Sequence, residues 1–332
     1  MLRTSLLALL VALATGCAGE EAAAPPPALP PPAPAPITVA PLPPAHVSRP
    51  APKAPIALEE YFKTFRVRGL SFSHDEKLVA FMTDQGGRPD LWVEPIAGGP
   101  ATQITHVEGF IHSFHFSPTA DVLAFEADRG GDELPHLFLT NAKGESPKDI
   151  AGDLPAGRRT QFVRWADDGR SLFYLSSQRD EKAMDLYEYD LKSGRSKLVW
   201  QAEGAFAFDG LSSDGRRILV QETKGAANDD LYLVERAKPA DRKLLTQHTG
   251  EVLFDGTFSH DGRTLLLTSD EGKENTILYA LDLASGNKHV EREGTWDVEW
   301  GADSRSGRYR LTSANADGSP ELAVTETKTG KR

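Results

Sequence analysis

The chain has 332 residues, of which 39% are hydrophobic and 26% are charged, a composition sufficient for a folded body with its own core. Its 48 Asp and Glu residues outnumber the 37 Lys and Arg residues, and the formal net charge is −11. Such a surface repels phosphate groups, which argues against a nucleic-acid-binding role. The single cysteine, Cys17, excludes an intrachain disulfide and a thiolate metal cluster.

The chain begins with features of an exported protein. Residues 6–14 contain only Leu, Val and Ala, a run too short to span a bilayer but typical of a signal peptide. The following Thr15-Gly16-Cys17 resembles the cleavage site of bacterial lipoproteins, although Ala14 stands where Leu is usual. The resemblance implies a lipoprotein signal peptide over residues 1–16 and lipidation of Cys17. An ordinary signal peptide with an incidental cysteine is the alternative.

A proline-rich stretch separates this signal from the rest of the chain. Residues 18–57 contain 14 of the 23 prolines and 12 alanines, so they cannot bury a core. We therefore expect residues 17–57, beginning with the lipidated cysteine, to be a disordered, extended linker. The residue after the cysteine is Ala18 rather than Asp, which in bacterial lipoproteins implies anchoring at the outer membrane, facing the periplasm. The lipid would be the only contact with the membrane.

Residues 58–332 contain one sequence unit that recurs six times. Each copy opens with an aromatic residue or Leu before a turn rich in Ser, Asp and Gly, and a second anchor Leu follows 19 to 22 residues later. The first anchors lie near Phe72, Phe116, Trp165, Leu211, Phe258 and Trp300. The second anchors are Leu91, Leu137, Leu186, Leu231, Leu278 and Leu322. The regular spacing predicts a repeat architecture.

Each unit is predicted to form four short strands. Asp-Gly pairs at 168–169, 214–215 and 261–262 favour tight hairpins, and continuous apolar runs after them indicate strands covered on both faces. Units of this length predict an all-β fold, a β-propeller of about six four-stranded blades over residues 58–332. The ring is either closed or partly open. Part of residues 58–68 is the candidate for the outer strand missing from the sixth unit, which would close the ring.

The units resemble TolB-like, WD40-like propeller repeats in Phe116-Ser117-Pro118 and in residues 258–262. Residues 58–62 and 315–318 extend the resemblance to the N-terminal propeller of the prolyl oligopeptidase family of serine peptidases. The family resemblance implies a propeller that controls access to an α/β-hydrolase domain. These 332 residues contain no G-x-S-x-G motif, so no catalytic residue is assigned to this chain.

No metal or cofactor site is predicted either. His112 and His115 are not expected to form a joint metal site, because positions three apart on a strand point to opposite faces. They are interpreted as ordinary loop or rim histidines. The acidic segments 128–133, 228–230 and 270–274 lack calcium-loop spacing and are interpreted as solvated connections. Among the five tryptophans, three fall on repeat anchors and are expected to pack in the core: Trp92, Trp165 and Trp300. Trp200 and Trp296 stay open as ligand-pocket candidates.

Three functions fit this sequence. The first is a lipid-anchored, non-catalytic envelope propeller that binds a peptide or protein at its rim or central channel. The second is a truncated or split oligopeptidase whose hydrolase half is missing from these residues. The third is a component of a TolB-like envelope complex. None of them requires a cofactor or a nucleic-acid partner.

Overall fold

The repeats fold into successive antiparallel sheets. The computed structural model describes residues 57–61, 63–152 and 154–332, and within these ranges six sheets form the blades of a β-propeller. The predicted fold class is therefore confirmed. The first five blades have four strands each, and the sixth has three. In every blade the strands lie side by side in chain order, as hairpin-connected strands do.

A short helix, α1 (Leu58–Tyr61), precedes the first blade. Blade 1 contains β1 (Val67–Phe72), β2 (Leu78–Thr83), β3 (Asp90–Pro95) and β4 (Thr102–Gln103). Blade 2 contains β5 (Ile111–Phe116), β6 (Val122–Ala127), β7 (His136–Asn141) and β8 (Lys148–Asp149). Blade 3 contains β9 (Thr160–Trp165), β10 (Ser171–Asp180), β11 (Ala183–Asp190) and β12 (Arg195–Trp200).

The second half of the described chain repeats this arrangement. Blade 4 contains β13 (Phe206–Leu211), β14 (Arg217–Gly225), β15 (Asn228–Glu235) and β16 (Arg242–Leu244). Blade 5 contains β17 (Phe254–Phe258), β18 (Thr264–Ser269), β19 (Ile277–Asp282) and β20 (Lys288–Arg292). Blade 6 contains β21 (Val298–Asp303), β22 (Tyr309–Ala316) and β23 (Ser319–Glu326).

The recurring Ser-x-Asp-Gly sequence builds the turn between the first two strands. In blade 4 the buried Ser212 hydroxyl donates to the Asp214 carboxylate at 2.7 Å and accepts from the Arg217 amide at 2.9 Å. Gly215 has φ +67°, a conformation that favours glycine. Ser259 and Asp261 form the same turn in blade 5. The motif is therefore a structural element of the blade.

Blade 6 corrects the predicted register of the sixth unit. The Ser304 hydroxyl accepts from the Tyr309 amide at 3.0 Å, and the Ser304 amide donates to the Tyr309 carbonyl at 2.7 Å. Ser304 thus occupies the turn position of Ser259, and the first-anchor position belongs to Asp303 rather than Trp300. The expectation that Trp300 packs in the core is wrong, because its side chain is 41% exposed. The sequence did not indicate this alignment, because Asp303 is polar whereas the first anchors of the other five units are aromatic residues or Leu.

In blades 1, 3 and 4 a buried aspartate directly before the second-anchor Leu ties the blade to the chain that leaves it. The Asp90 carboxylate accepts from the Thr105 hydroxyl at 2.7 Å and from the Val107 amide at 3.1 Å. Asp230 accepts from the Thr246 hydroxyl at 3.1 Å in blade 4. These bonds satisfy buried polar groups that would otherwise lack partners. They fix the end of the fourth strand.

The hydrophobic core consists of clusters between successive blades. We call the face that carries the second-anchor Leu the front face of a blade, and the opposite face its back face. The front face of blade 1, with Leu91, packs on Ile111 and Phe116 of blade 2. The same relation continues to the junction of blades 5 and 6, where Leu278 packs on Val298. Each blade thus covers the apolar front face of the preceding one.

The two terminal faces of this series are exposed in the described chain. Phe72 on the back of blade 1 is 55% exposed, and Leu322 on the front of blade 6 is 62% exposed. The described residues 58–61 and 63–68 do not provide the missing strand, so that prediction is wrong: residues 58–61 form α1, and β1 pairs with β2. No strand pairing, hydrogen bond or ion pair joins residues 67–103 to residues 298–326. Within the described residues, blades 1 and 6 therefore do not close the ring on each other.

None of the described helices has the length and apolarity that a membrane span requires.

Candidate binding site in the central channel

The first strand of each blade faces a shared central cavity of about 700 Å³. Ser71, His115, Phe162, Asp209, Thr257 and Asp303 line it, one from each of the six first strands described above. Propeller geometry brings these residues together although they span more than 230 positions of sequence. A cavity of this size accommodates a small molecule or a short peptide segment.

Aromatic rings form one wall of the channel. The His115 imidazole stacks on the Phe162 ring, with centroids 4.4 Å apart and planes inclined by 14°. Trp165 fixes this pair, because its indole nitrogen donates to the His115 carbonyl at 3.1 Å. Desolvation in the channel wall lowers the pKa of His115, although the residue as a whole stays exposed. The wall is therefore largely neutral and offers flat apolar contacts.

Charged groups lie beside this wall in positions fixed by ion pairs. Arg164 donates to Asp167 at 2.7 Å and to the Trp165 carbonyl at 3.1 Å. Across the channel, Arg310 donates to Asp303 at 2.8 Å, and Asp303 also accepts from the His260 amide at 3.1 Å. The channel thus presents donors and acceptors that are held in place before any ligand arrives.

Among the carboxylates that line the channel, Asp209 has a strongly raised pKa. Burial and the negative charges of Asp255 and Asp229 raise the pKa of Asp209 to about 7. Its buried Oδ2 atom has no hydrogen-bond partner in the described chain. Partial burial also raises the pKa of Asp255, whose side chain keeps contact with solvent. The region is electrostatically unfavourable for a second negative charge.

A smaller cavity of about 350 Å³ adjoins the channel at Asp209 and lies between blades 4 and 5. Asp229 lines it and is held by the Phe254 amide at 2.8 Å and the Gln221 side chain at 2.7 Å. Asp209 therefore stands between the two spaces.

The lining residues offer binding groups rather than an activated nucleophile. Among the lining residues, no serine or threonine hydroxyl contacts a histidine ring: Ser213 donates to the backbone carbonyl of His260 at 2.6 Å, and Ser71 accepts from the Phe116 amide at 2.9 Å. Acyl transfer needs a hydroxyl or thiol beside a base.

The structure separates the two histidines considered from sequence. His112 lies beside the Asp128 carboxylate at 3.3 Å and meets Phe110 edge to face, whereas His115 enters the channel wall. His115 is thus the one that sequence reasoning undervalued. Trp200 is buried and Trp296 is exposed, and neither lines the channel. Cys17 lies outside the described residues.

One group of possible metal ligands occurs in the described chain: His74, Asp75 and Asp121, all exposed. The Lys77 ammonium lies 2.8 Å from Asp75 and already supplies a positive charge there. The three residues lie outside the channel lining. The acidic segment at residues 128–133 is instead organised by its own hydrogen bonds, in which the Asp128 carboxylate accepts from the Phe110 and Gly131 amides.

Comparison with known proteins places this architecture in a family context. The family described as prolyl oligopeptidase, N-terminal beta-propeller domain, matches residues 108–331. Dipeptidyl aminopeptidase BIII of Pseudoxanthomonas mexicana is 26% identical over 270 residues, which cover 78% of this chain and 38% of that protein. The Tol-Pal system protein TolB of Wolinella succinogenes is 26% identical over 159 residues, covering 48% of this chain and 36% of that protein.

A solved structure supports the same fold. A chain from a structural and mechanistic analysis of two prolyl endopeptidases superposes with a TM-score of 0.63 at 14% identity, covering 81% of this chain and 42% of that chain. Both resemblances recognised from the repeats are confirmed. The chain spans less than two fifths of the length of the two curated relatives.

Proposed function

The chain belongs to the family of prolyl oligopeptidase N-terminal β-propeller domains, and from this premise we propose that it binds peptide segments in its central channel. The single observation that carries the proposal is the cavity of about 700 Å³ with the stacked His115–Phe162 pair in its wall. Rigid aromatic faces bind extended chains with little loss of side-chain entropy. A relative named as a dipeptidyl aminopeptidase supports peptides as the ligand class.

The charged groups of the channel indicate which peptides it would prefer. Asp209 has a buried oxygen that finds no hydrogen-bond partner among the described residues, and the whole chain carries a net charge of −11. A ligand with a positive group beside an apolar side chain therefore satisfies the carboxylate and the aromatic wall together. An acidic peptide meets repulsion instead. We propose a preference for peptides that combine aromatic and basic residues.

Fluorescence anisotropy with a labelled decapeptide containing Phe and Lys residues tests this function on the full chain. Phe162→Ala is expected to weaken binding at least about tenfold, because it removes the ring that faces the ligand. Phe110→Ala removes an exposed ring outside the channel lining and is the matched control. Equal affinities of the two variants, or no binding by the unmodified chain, would refute the proposal.

We further propose that the propeller acts in the bacterial envelope, anchored by a lipid on Cys17. The support is the sequence Thr15-Gly16-Cys17 after an apolar run of nine residues. Cys17→Ala is expected to abolish incorporation of labelled fatty acid in a bacterial host, while Ser5→Ala leaves it intact. Continued labelling of the Cys17→Ala protein would contradict the anchor. Separation of inner and outer membranes tests the proposed outer-membrane location.

A second candidate is the propeller half of a serine-type oligopeptidase. This candidate is supported by the length of the match, because this chain covers only 38% of the dipeptidyl aminopeptidase relative. A reading frame directly downstream of Arg332 that encodes a G-x-S-x-G motif would support it. An unrelated downstream frame, together with failure of the purified chain to retain any serine hydrolase from its own cells, would contradict it.

A further inference from the structure

We infer that Arg305 binds the C-terminal carboxylate of the peptide, an assignment that rests on the proposed function and narrows its ligand to peptides with a free C-terminus. The C-terminus then lies at the end of the channel where the first strands finish, and the rest of the peptide extends towards Asp209. The charged side chains that line the channel carry this assignment.

Most charged groups of the channel lining already have a partner. Five lining residues are Asp or Arg, and three of them belong to the ion pairs described above: Arg164, Asp167 and Asp303. The other two, Asp209 and Arg305, form no ion pair and no side-chain hydrogen bond with the described residues. The channel therefore offers a ligand one uncompensated carboxylate and one uncompensated guanidinium.

The turn that carries Arg305 is fixed before any ligand arrives. The Ser304 hydroxyl accepts from the Tyr309 amide at 3.0 Å within this turn. Gly307 fits against the His260 ring of blade 5, where an added Cβ would lie 2.6 Å from the ring Cδ2 atom. The side chain of Arg305 is exposed and its backbone is held in place. Such a guanidinium binds a carboxylate without the cost of ordering a loop.

The two uncompensated charges lie at different depths of the channel. Asp209 lies two positions before Leu211, the first anchor of blade 4, whereas Arg305 lies two positions after Asp303, the equivalent residue of blade 6. Because the blades repeat one arrangement around a common axis, their first strands run in the same direction. Four positions at about 3.3 Å each give an axial offset of no more than about 13 Å. Three or four extended peptide residues span that distance.

The proposed ligand has the groups that these two side chains need. A peptide of aromatic and basic residues has no carboxylate in its side chains, so its C-terminus is the carboxylate that Arg305 can bind. A basic residue three or four positions upstream then reaches the depth of Asp209. His115, one position before its own anchor, lies between these two depths, so the intervening peptide residues pass the aromatic wall.

Isothermal titration calorimetry with a decapeptide of Phe and Lys residues, as the free acid and as the C-terminal amide, tests the assignment on the full chain. We expect amidation to weaken binding at least about fivefold, because it removes the charge that pairs with Arg305. The chain's net charge of −11 by itself favours the more positive amide, so a preference for the free acid identifies a local cation. Equal or tighter binding of the amide would overturn the assignment and leave the proposed function standing.

Arg305→Gln determines which cation is responsible. It should weaken binding of the free acid at least about fivefold and change the affinity for the amide by less than about twofold. Arg216→Gln removes the same charge from an exposed turn residue outside the channel lining, and this matched control should keep the preference for the free acid. Equal losses of both peptides in the Arg305→Gln protein would contradict the assignment. If the unmodified chain binds neither peptide, the proposed function fails and the assignment fails with it.

Discussion

Leu278 lies directly against Gly301 at the junction of blades 5 and 6, where a Cβ on the glycine would fall 2.6 Å from the Leu278 Cδ2 atom. Leu278 is 0% exposed, so its side chain has no room to withdraw. The absence of a side chain at residue 301 therefore permits the contact between the two blades.

Gly301→Ala is expected to destabilise the propeller by about 1–3 kcal/mol, because the added methyl group overpacks this junction. Gly294→Ala is the control, since the nearest atom to its added Cβ is 4.0 Å away. Urea unfolding followed by tryptophan fluorescence measures both changes. Equal midpoints for the two variants would show that the junction tolerates the extra volume.

The second-anchor aspartates are expected to contribute to stability without taking part in binding. Asp90→Ala leaves the Thr105 hydroxyl and the Val107 amide without their acceptor and should cost about 2–4 kcal/mol. Glu108→Ala removes the same charge from an exposed neighbouring position and should have little effect. Thermal unfolding compares the two. A loss of peptide binding by a fully folded Asp90→Ala protein would contradict the structural role.

The raised pKa of Asp209 predicts that the free energy of unfolding decreases as the pH rises. The pKa of Asp209 is about 7 in the folded state, whereas its ordinary value is 3.8. The contribution of this group to stability is therefore full at low pH and declines as the pH rises between these two values. Asp209→Asn should abolish the decline and stabilise the protein at pH 8 by on the order of 1–3 kcal/mol. Asp241→Asn, at an exposed site, should not.

Denaturant titrations at pH 4, 6 and 8 on both variants measure this effect. The unmodified chain and the Asp241→Asn protein should lose stability in parallel relative to Asp209→Asn. If all three follow the same pH dependence, Asp209 titrates normally and the electrostatic description of the channel is incorrect.

The stacked pair in the channel wall makes a spectroscopic prediction. Phe162→Ala uncovers the stacked face of the imidazole and should raise the pKa of His115 towards its ordinary value of 6.5. Proton NMR titration of the histidine ring signals measures the change. Phe110→Ala removes the ring beside His112 and should leave the His115 titration unchanged. An unshifted His115 in the Phe162→Ala protein would show that the ring does not limit its hydration.

Sequence periodicity predicted the blades because each depends on local chemistry. Ser212 and Asp214 build a turn within a few residues, and an apolar run such as 265–267 forms a strand wherever both faces are covered. The sixth unit was misaligned because Asp303 replaces the aromatic anchor. The exposure of Leu322 depends on whether another blade packs on blade 6. All six second-anchor Leu residues share one sequence pattern, so the pattern does not distinguish the exposed one from the five buried ones.

The channel was largely beyond sequence reasoning. Asp209 and His115 belong to different blades, and their approach to one cavity follows from the radial arrangement rather than from a motif. One feature of the sequence could have indicated residues that line the channel. It is a polar residue in a predicted first strand, directly before the first anchor and outside the turn. His115 stands at such a position, one residue before Phe116.

Photo-cross-linking tests the central claim, that the channel formed by the first strands binds peptides, most directly. A decapeptide of Phe and Lys residues carrying one benzoylphenylalanine is irradiated with the full chain, and the modified residues are identified by mass spectrometry. We expect modification of first-strand residues from several blades, among them His115, Phe162 and Thr257. Modification confined to the outer strands, such as Lys288–Arg292, would contradict it.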